Sequence, residues 1–129
     1  MLDSEMIQTV AQILADRGVG TWRPSGPAFA AGEVGIFYGP IGEHPDCGVG
    51  ITAYGRMNDE TNDGGDETRL VQVRVRGTAD DLASQVDAVL HRMTRVRGLS
   101  ASRASGPVPL GPDGNGRPEM TLNYQVQED

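Results

Sequence analysis

The stretch from Glu119 to Val126 alternates without a fault: Met120, Leu122, Tyr124 and Val126 are apolar, while Glu119, Thr121, Asn123 and Gln125 are polar. Period-two alternation of that length commits the segment to a half-buried strand, since a helix would spread the same apolar residues around its circumference. Just upstream, Val108-Pro-Leu-Gly-Pro-Asp-Gly-Asn-Gly-Arg117 contains Asn115-Gly116, the pair that most readily takes positive φ in a two-residue hairpin. The chain therefore closes on an antiparallel hairpin.

The other end reads as a helix. Leu2, Met6, Ile7, Val10, Ile13 and Leu14 recur at three- and four-residue spacing, behind Asp3, Ser4 and Glu5 and ahead of Gly18, which predicts an amphipathic helix over about 3–17. Acidic residues in its first turn and Arg17 in its last suit the helix dipole. From Val19 to Ala31 the chain is broken by Pro24, Gly26 and Pro27, so this segment is a connector or arm. Two apolar runs at 34–38 and 49–54 predict strands, joined by a loop in which Pro40 and Pro45 forbid helix. Leu70 to Arg76 predicts a further strand with Val71, Val73 and Val75 on the core face and Gln72, Arg74 and Arg76 on the wet one. Thr78 and Asp81 form a carboxylate version of a capping box, and Leu82, Val86, Val89, Leu90, Met93 and Val96 share a helical face, so a second helix is predicted over about 79–97, ending at Gly98. Arg92, Arg95 and Arg97 would then complement that helix's C-terminal dipole. Ser100 to Val108 gives a weak strand signal before the closing hairpin into 118–127.

The expected fold is accordingly a single α+β domain spanning 1–129, with a mainly antiparallel sheet, two helices packed on one face and the order α-β-β-β-α-β-β. Residues 55–68 are glycine-rich and acidic with almost nothing to bury, and are expected to form a flexible loop.

Composition excludes several chemistries. At 129 residues the chain can bury a core, resting on Val, Ile, Leu and Met because aromatics are sparse. All basic residues are arginine; a chain without lysine has no phosphate-loop lysine and no Schiff-base chemistry. No dinucleotide fingerprint or Gly-x-Ser-x-Gly turn is present. His44 and His91 have no acidic partner at a helpful local spacing. Cys47 cannot form an internal disulfide, and with His44 and Asp46 makes too thin a set for zinc, so it reads as a plain thiol. Asp59, Thr61, Asp63 and Gly64 imitate the front of a calcium loop, but Leu70 stands where the bidentate glutamate belongs. No catalytic residue, cofactor or metal is expected. A net charge of −7 disfavours gripping DNA by its phosphates; it fits an acidic chain kept soluble by its charge at least as well as the wall of a conduit through which DNA slides without sticking. No apolar run approaches the roughly 18 residues of a membrane helix and the N-terminus lacks a signal-peptide pattern, which predicts a chain kept in a cytosol.

With no chemistry to assign, the candidate residues are those of contact surfaces. Trp22 and Arg23 are of the types enriched at interface hot spots, against the plainer reading that Trp22 covers the core. Asp59, Glu60, Asp63, Asp66 and Glu67 form an acidic cluster that Arg74 and Arg76, or those of a neighbouring copy, could meet; Arg117 stands at the closing turn.

The finish Leu110-Gly-Pro-Asp-Gly-Asn-Gly-Arg-Pro-Glu119, followed by the strand through Asn123-Tyr124 and preceded by a long amphipathic helix, resembles the minor capsid or tail terminator proteins of long-tailed bacteriophages. The resemblance covers nearly the whole chain in element order. It implies a structural virion protein and no enzyme: a ring, hexameric in related proteins, that caps the tail tube, stops its polymerisation and offers the head-docking surface. Its partners would be further copies of itself, the tail tube protein and a head completion or connector protein, with genomic DNA passing through the lumen unbound, and it would assemble in the host cytoplasm. The alternatives are a head completion or connector protein of the same neck, or a small regulatory ligand-binding α+β domain.

Overall fold

A computed structural model describes residues 1–57, 68–77 and 81–129. The order is α1 (Asp3–Asp16), β1 (Thr21–Trp22), β2 (Val34–Tyr38), β3 (Cys47–Met57), β4 (Thr68–Arg76), α2 (Leu82–Leu90), β5 (Met93–Val96), β6 (Leu99–Pro112) and β7 (Pro118–Glu128). The strands form one seven-stranded sheet in the order β1-β2-β3-β4-β7-β6-β5.

Both helices lie on the face defined by the alternation. Val71, Val73 and Val75 of β4 pair across with Tyr124, Leu122 and Met120 of β7, and on the other side with Ala53, Ile51 and Val49 of β3, so one apolar stripe crosses three strands. Met6, Val10, Ile13 and Leu14 of α1 and Leu82, Val86 and Leu90 of α2 seal it into a single core cluster. Burial of each such aliphatic side chain contributes roughly 1.5–3 kcal/mol. The opposite face is polar: Thr52, Gln72 and Asn123 lie side by side in register. No helix covers it among the described residues.

The start of α1 is fixed by Glu5, whose carboxylate accepts the Leu2 N–H at 2.9 Å. Asp3 accepts from both Arg56 and Arg69 at 3.1 Å, pinning the helix start to the far ends of β3 and β4.

The expected architecture needs four corrections. The sheet is mixed, because β1–β2 and β2–β3 are parallel while β3–β4, β4–β7, β7–β6 and β6–β5 are antiparallel. Two short strands, β1 and β5, were not expected. The second helix stops at Leu90, and Met93 and Val96 belong to β5. Finally, Asn115-Gly116 does not make a two-residue turn: β6 and β7 close at Pro112 opposite Pro118, and the connection runs through residues 113–117, with the Gly116 N–H donating to the Asp113 carbonyl at 3.0 Å. Thr78 and its capping box lie outside the described residues, as do residues 58–67 of the acidic segment; its flanks, 55–57 and 68, are strand.

The parallel β2–β3 pair requires the chain to return across the sheet through residues 39–46, far fewer than the dozen or so of an ordinary crossover. Glycine makes this possible. A Cβ at Gly50 would stand 2.5 Å from the Gly39 carbonyl oxygen and 2.9 Å from Ile41 Cγ1, and one at Gly48 would stand 2.6 Å from Ile41 Cγ2. The return loop therefore lies directly on β3, over two bare backbone positions.

Candidate interaction surfaces

Two arginines fasten the return loop. Arg76, at the end of β4, is buried and donates through Nη2 to the carbonyls of Gly42 and Pro45, both at 2.7 Å, and through Nε to that of Asp46 at 3.1 Å. A guanidinium presents five donors in a fixed fork, which suits a cluster of carbonyls no other side chain could serve at once. The expectation that Arg76 shares a solvated face with Gln72 and Arg74 is corrected here: it sits beneath the loop. Arg117 donates to the Glu43 carbonyl at 2.7 Å and to Asp113 at 2.8 Å, tying the loop to the β6–β7 turn. Asp113 also accepts the N–H groups of Arg117 and Asn115, at 2.8 and 2.9 Å. The Arg117 N–H first, then its guanidinium, hold the Asp113 carboxyl below the usual carboxylate range.

Arg23 plays a similar part in the arm. It pairs with Glu33 at 2.9 Å, donates to the Pro27 and Ala28 carbonyls and lies 5.3 Å from the centroid of Phe29. Trp22 is half-buried against the core and borders a shallow depression with Glu5, Gln8, Gln12 and Arg97. Arg74 is exposed on the polar face, 3.8 Å from Glu119. Asp59, Glu60, Asp63, Asp66 and Glu67 lie outside the described residues. The structure thus brings Arg76 and Arg117 together on one loop and leaves Trp22, Arg23 and Arg74 apart.

On the helical side, α2 is tied to the sheet through Asp87, which accepts the Tyr124 hydroxyl at 2.8 Å and the Arg103 guanidinium at 2.7 Å. Burial first, then the Asp87 carboxylate, push the Tyr124 phenol well above its ordinary value.

The residues that the helical reading of 79–97 concealed are Arg92, Arg95 and Arg97, which have φ of 61°, 53° and 47°. Arg92 follows the helix end at His91; Arg95 lies in the irregularity between Met93 and Val96; and Arg97 with Gly98 forms a two-residue connection closed by Val96 opposite Leu99. With Gly98 at φ 78°, both central residues have the positive φ of a type I′ hairpin turn. The tight hairpin lies here, not at Asn115-Gly116. Arg97 pairs with Asp16 of α1 at 2.7 Å. The guanidinium groups of Arg92 and Arg95 are exposed and have no partner among the described residues.

Among the described residues no set of three His, Cys, Asp or Glu side chains could hold a metal ion, and no helix is long and apolar enough to cross a membrane. The described residues form an α+β protein in which two helices cover one face of a mixed sheet and arginines fasten its loops. The family model of the bacteriophage tail terminator protein matches residues 13–129, from the last turn of α1 through the whole sheet, and the chain belongs to that family. It is therefore a structural component of the phage virion. No curated protein matches the chain.

Proposed function

We propose that the chain assembles into a closed ring, six-fold as the resemblance implied, that caps the tail tube, ends its polymerisation and offers the surface on which the filled head docks. Membership of the tail terminator family carries this reading. Such a ring requires heterologous contacts, in which one patch meets a different patch on the next copy. Trp22, Arg23, Arg74 and Arg117 supply subunit or tube contacts, and Asp59, Glu60, Asp63, Asp66 and Glu67 face the lumen or the tube. Arg76 is omitted from that set because it is buried beneath the return loop. The net charge of −7 keeps DNA moving through the lumen without adhesion. Assembly takes place in the host cytoplasm, with the tail tube protein on one face and a head completion or connector protein on the other.

Electron microscopy of lysates from a phage carrying a nonsense mutation in this reading frame tests the proposal. Overlong, headless tails are expected. Tails of normal length beside unjoined or emptied heads would instead place the chain on the head side of the neck.

A further inference from the structure

Three arginines within six residues hold a backbone conformation that L side chains rarely adopt. Each stands where glycine or asparagine would fit more easily: after a helix end, in a strand irregularity and at the first central position of a type I′ turn. Strain kept at several neighbouring positions is an observation that calls for a use of the side chains. Arg97 has one, its pair with Asp16. The guanidinium groups of Arg92 and Arg95 have none among the described residues, yet they are exposed in a protein where carboxylates outnumber arginines by 18 to 11.

The complementary surface lies elsewhere on the same molecule. Glu43 and Asp46 project from the return loop, the Asp46 side chain 80 % exposed. Their backbone is held in place from below by Arg76 and from the side by Arg117, which bond the carbonyls of both residues. The Glu43 carboxylate has no partner among the described residues, and Asp46 has only a long contact of 3.4 Å with Arg117. These carboxylates are therefore presented on a fixed support. The arginine hairpin is at the β5 end of the sheet, whereas the return loop lies over β3, on the other side of β4, β7 and β6. One molecule cannot bring the two together, but two copies can.

We propose that Arg92 and Arg95 of one copy dock onto Glu43 and Asp46 of the next, forming a directional contact between unlike patches. The inference rests on the ring reading above and adds the charges that orient one subunit on its neighbour. A polyanion such as DNA is the weaker occupant, because two isolated guanidinium groups do not make a phosphate track and the chain as a whole repels it. Charge pairs of this exposed kind contribute more to register and partner choice than to affinity, which is what closing a ring requires.

Sedimentation velocity of the purified full chain over a concentration series, at low and high salt, tests the contact. The native chain should self-associate, less so at high salt. Arg92→Gly/Arg95→Gly should associate about tenfold more weakly or worse, a step of roughly 1.4 kcal/mol, while its melting temperature holds or rises because glycine relieves the backbone. Arg92→Lys/Arg95→Lys should retain association. The decisive mixture combines Arg92→Gly/Arg95→Gly with Glu43→Gln/Asp46→Asn: each alone should show the same weakened association, and together they should form pairs with the native strength that grow no further. Native association unchanged in the glycine variant overturns the contact and leaves the ring reading intact, since that reading is judged by the lysate phenotype. A native chain that stays monomeric throughout also overturns the contact. So does salt-sensitive binding of a labelled DNA duplex that the glycine variant loses while its self-association persists.

Discussion

Arg76 Nη2 donates to the Pro45 carbonyl at 2.7 Å, joining the last residue of β4 to the end of the loop that carries the chain from β2 back to β3. Because the same nitrogen also reaches Gly42, one buried guanidinium satisfies carbonyls along most of that loop.

Arg76→Met keeps the aliphatic stem and removes every donor. The carbonyls of Gly42, Pro45 and Asp46 then lose this donor, that of Pro45 from a buried bond, and the expected loss is about 2–4 kcal/mol. Chemical denaturation should show a lower midpoint with little change in slope. Arg74→Met, on the exposed side of the same strand, should fall within about 0.5 kcal/mol of the native chain.

Gly50→Ala forces a Cβ to within 2.5 Å of the Gly39 oxygen, which is backbone and cannot turn aside. A loss of about 1–3 kcal/mol is expected, read as a fall in melting temperature. Gly32→Ala is the control: nothing lies within 4 Å of its Cβ position, so it should be close to neutral.

Tyr124→Phe removes the hydroxyl that donates to Asp87 and should cost about 1–2 kcal/mol. It should also change the alkaline profile. The folded phenol has its pKa raised, by burial first and by Asp87 second, so the neutral form is favoured in the fold. Its stabilising contribution is complete below the ordinary tyrosine value of about 10 and is lost as pH rises beyond it. Thermal melts between neutral and strongly alkaline pH should show a steeper decline in the native chain than in the phenylalanine variant. Parallel curves would refute the linkage.

Met57 and Thr68 are paired across β3 and β4, so residues 58–67 connect two strands already in register. Replacing them with Asn-Gly, a two-residue hairpin connection, should leave the melting temperature unchanged within a few degrees. If the acidic residues of that segment serve assembly, the shortened chain should fail to complement a phage lacking the native gene. Equal loss of thermal stability and complementation would remove that separation.

Much of the fold was already written in local pattern. The alternation of β7 and β4 set their core faces, and the three- and four-residue recurrence of α1 placed that helix to within a residue at its C-terminal end, because burial of one face is a property of spacing alone. What spacing could not decide was where Leu90, Met93 and Val96 would lie. Their intervals suit a helix as well as they suit a helix end followed by a hairpin, and no residue before Gly98 announces positive φ. The sheet decided, because pairing β5 with β6 buries Met93 and Leu99. Arg76 was concealed for a related reason: alternation assigns a side chain to a face, but only the return of the chain over β3 determines whether that face is wet. The parallel β2–β3 pair and the two arginine-held loops are likewise long-range facts. Residue pattern along the chain determined which segments are strands and helices and which side of each is apolar. The tertiary structure alone decided which strands meet, which carbonyls Arg76 and Arg117 satisfy, and which arginines are left pointing outward, since those outcomes depend on contacts between residues far apart in sequence.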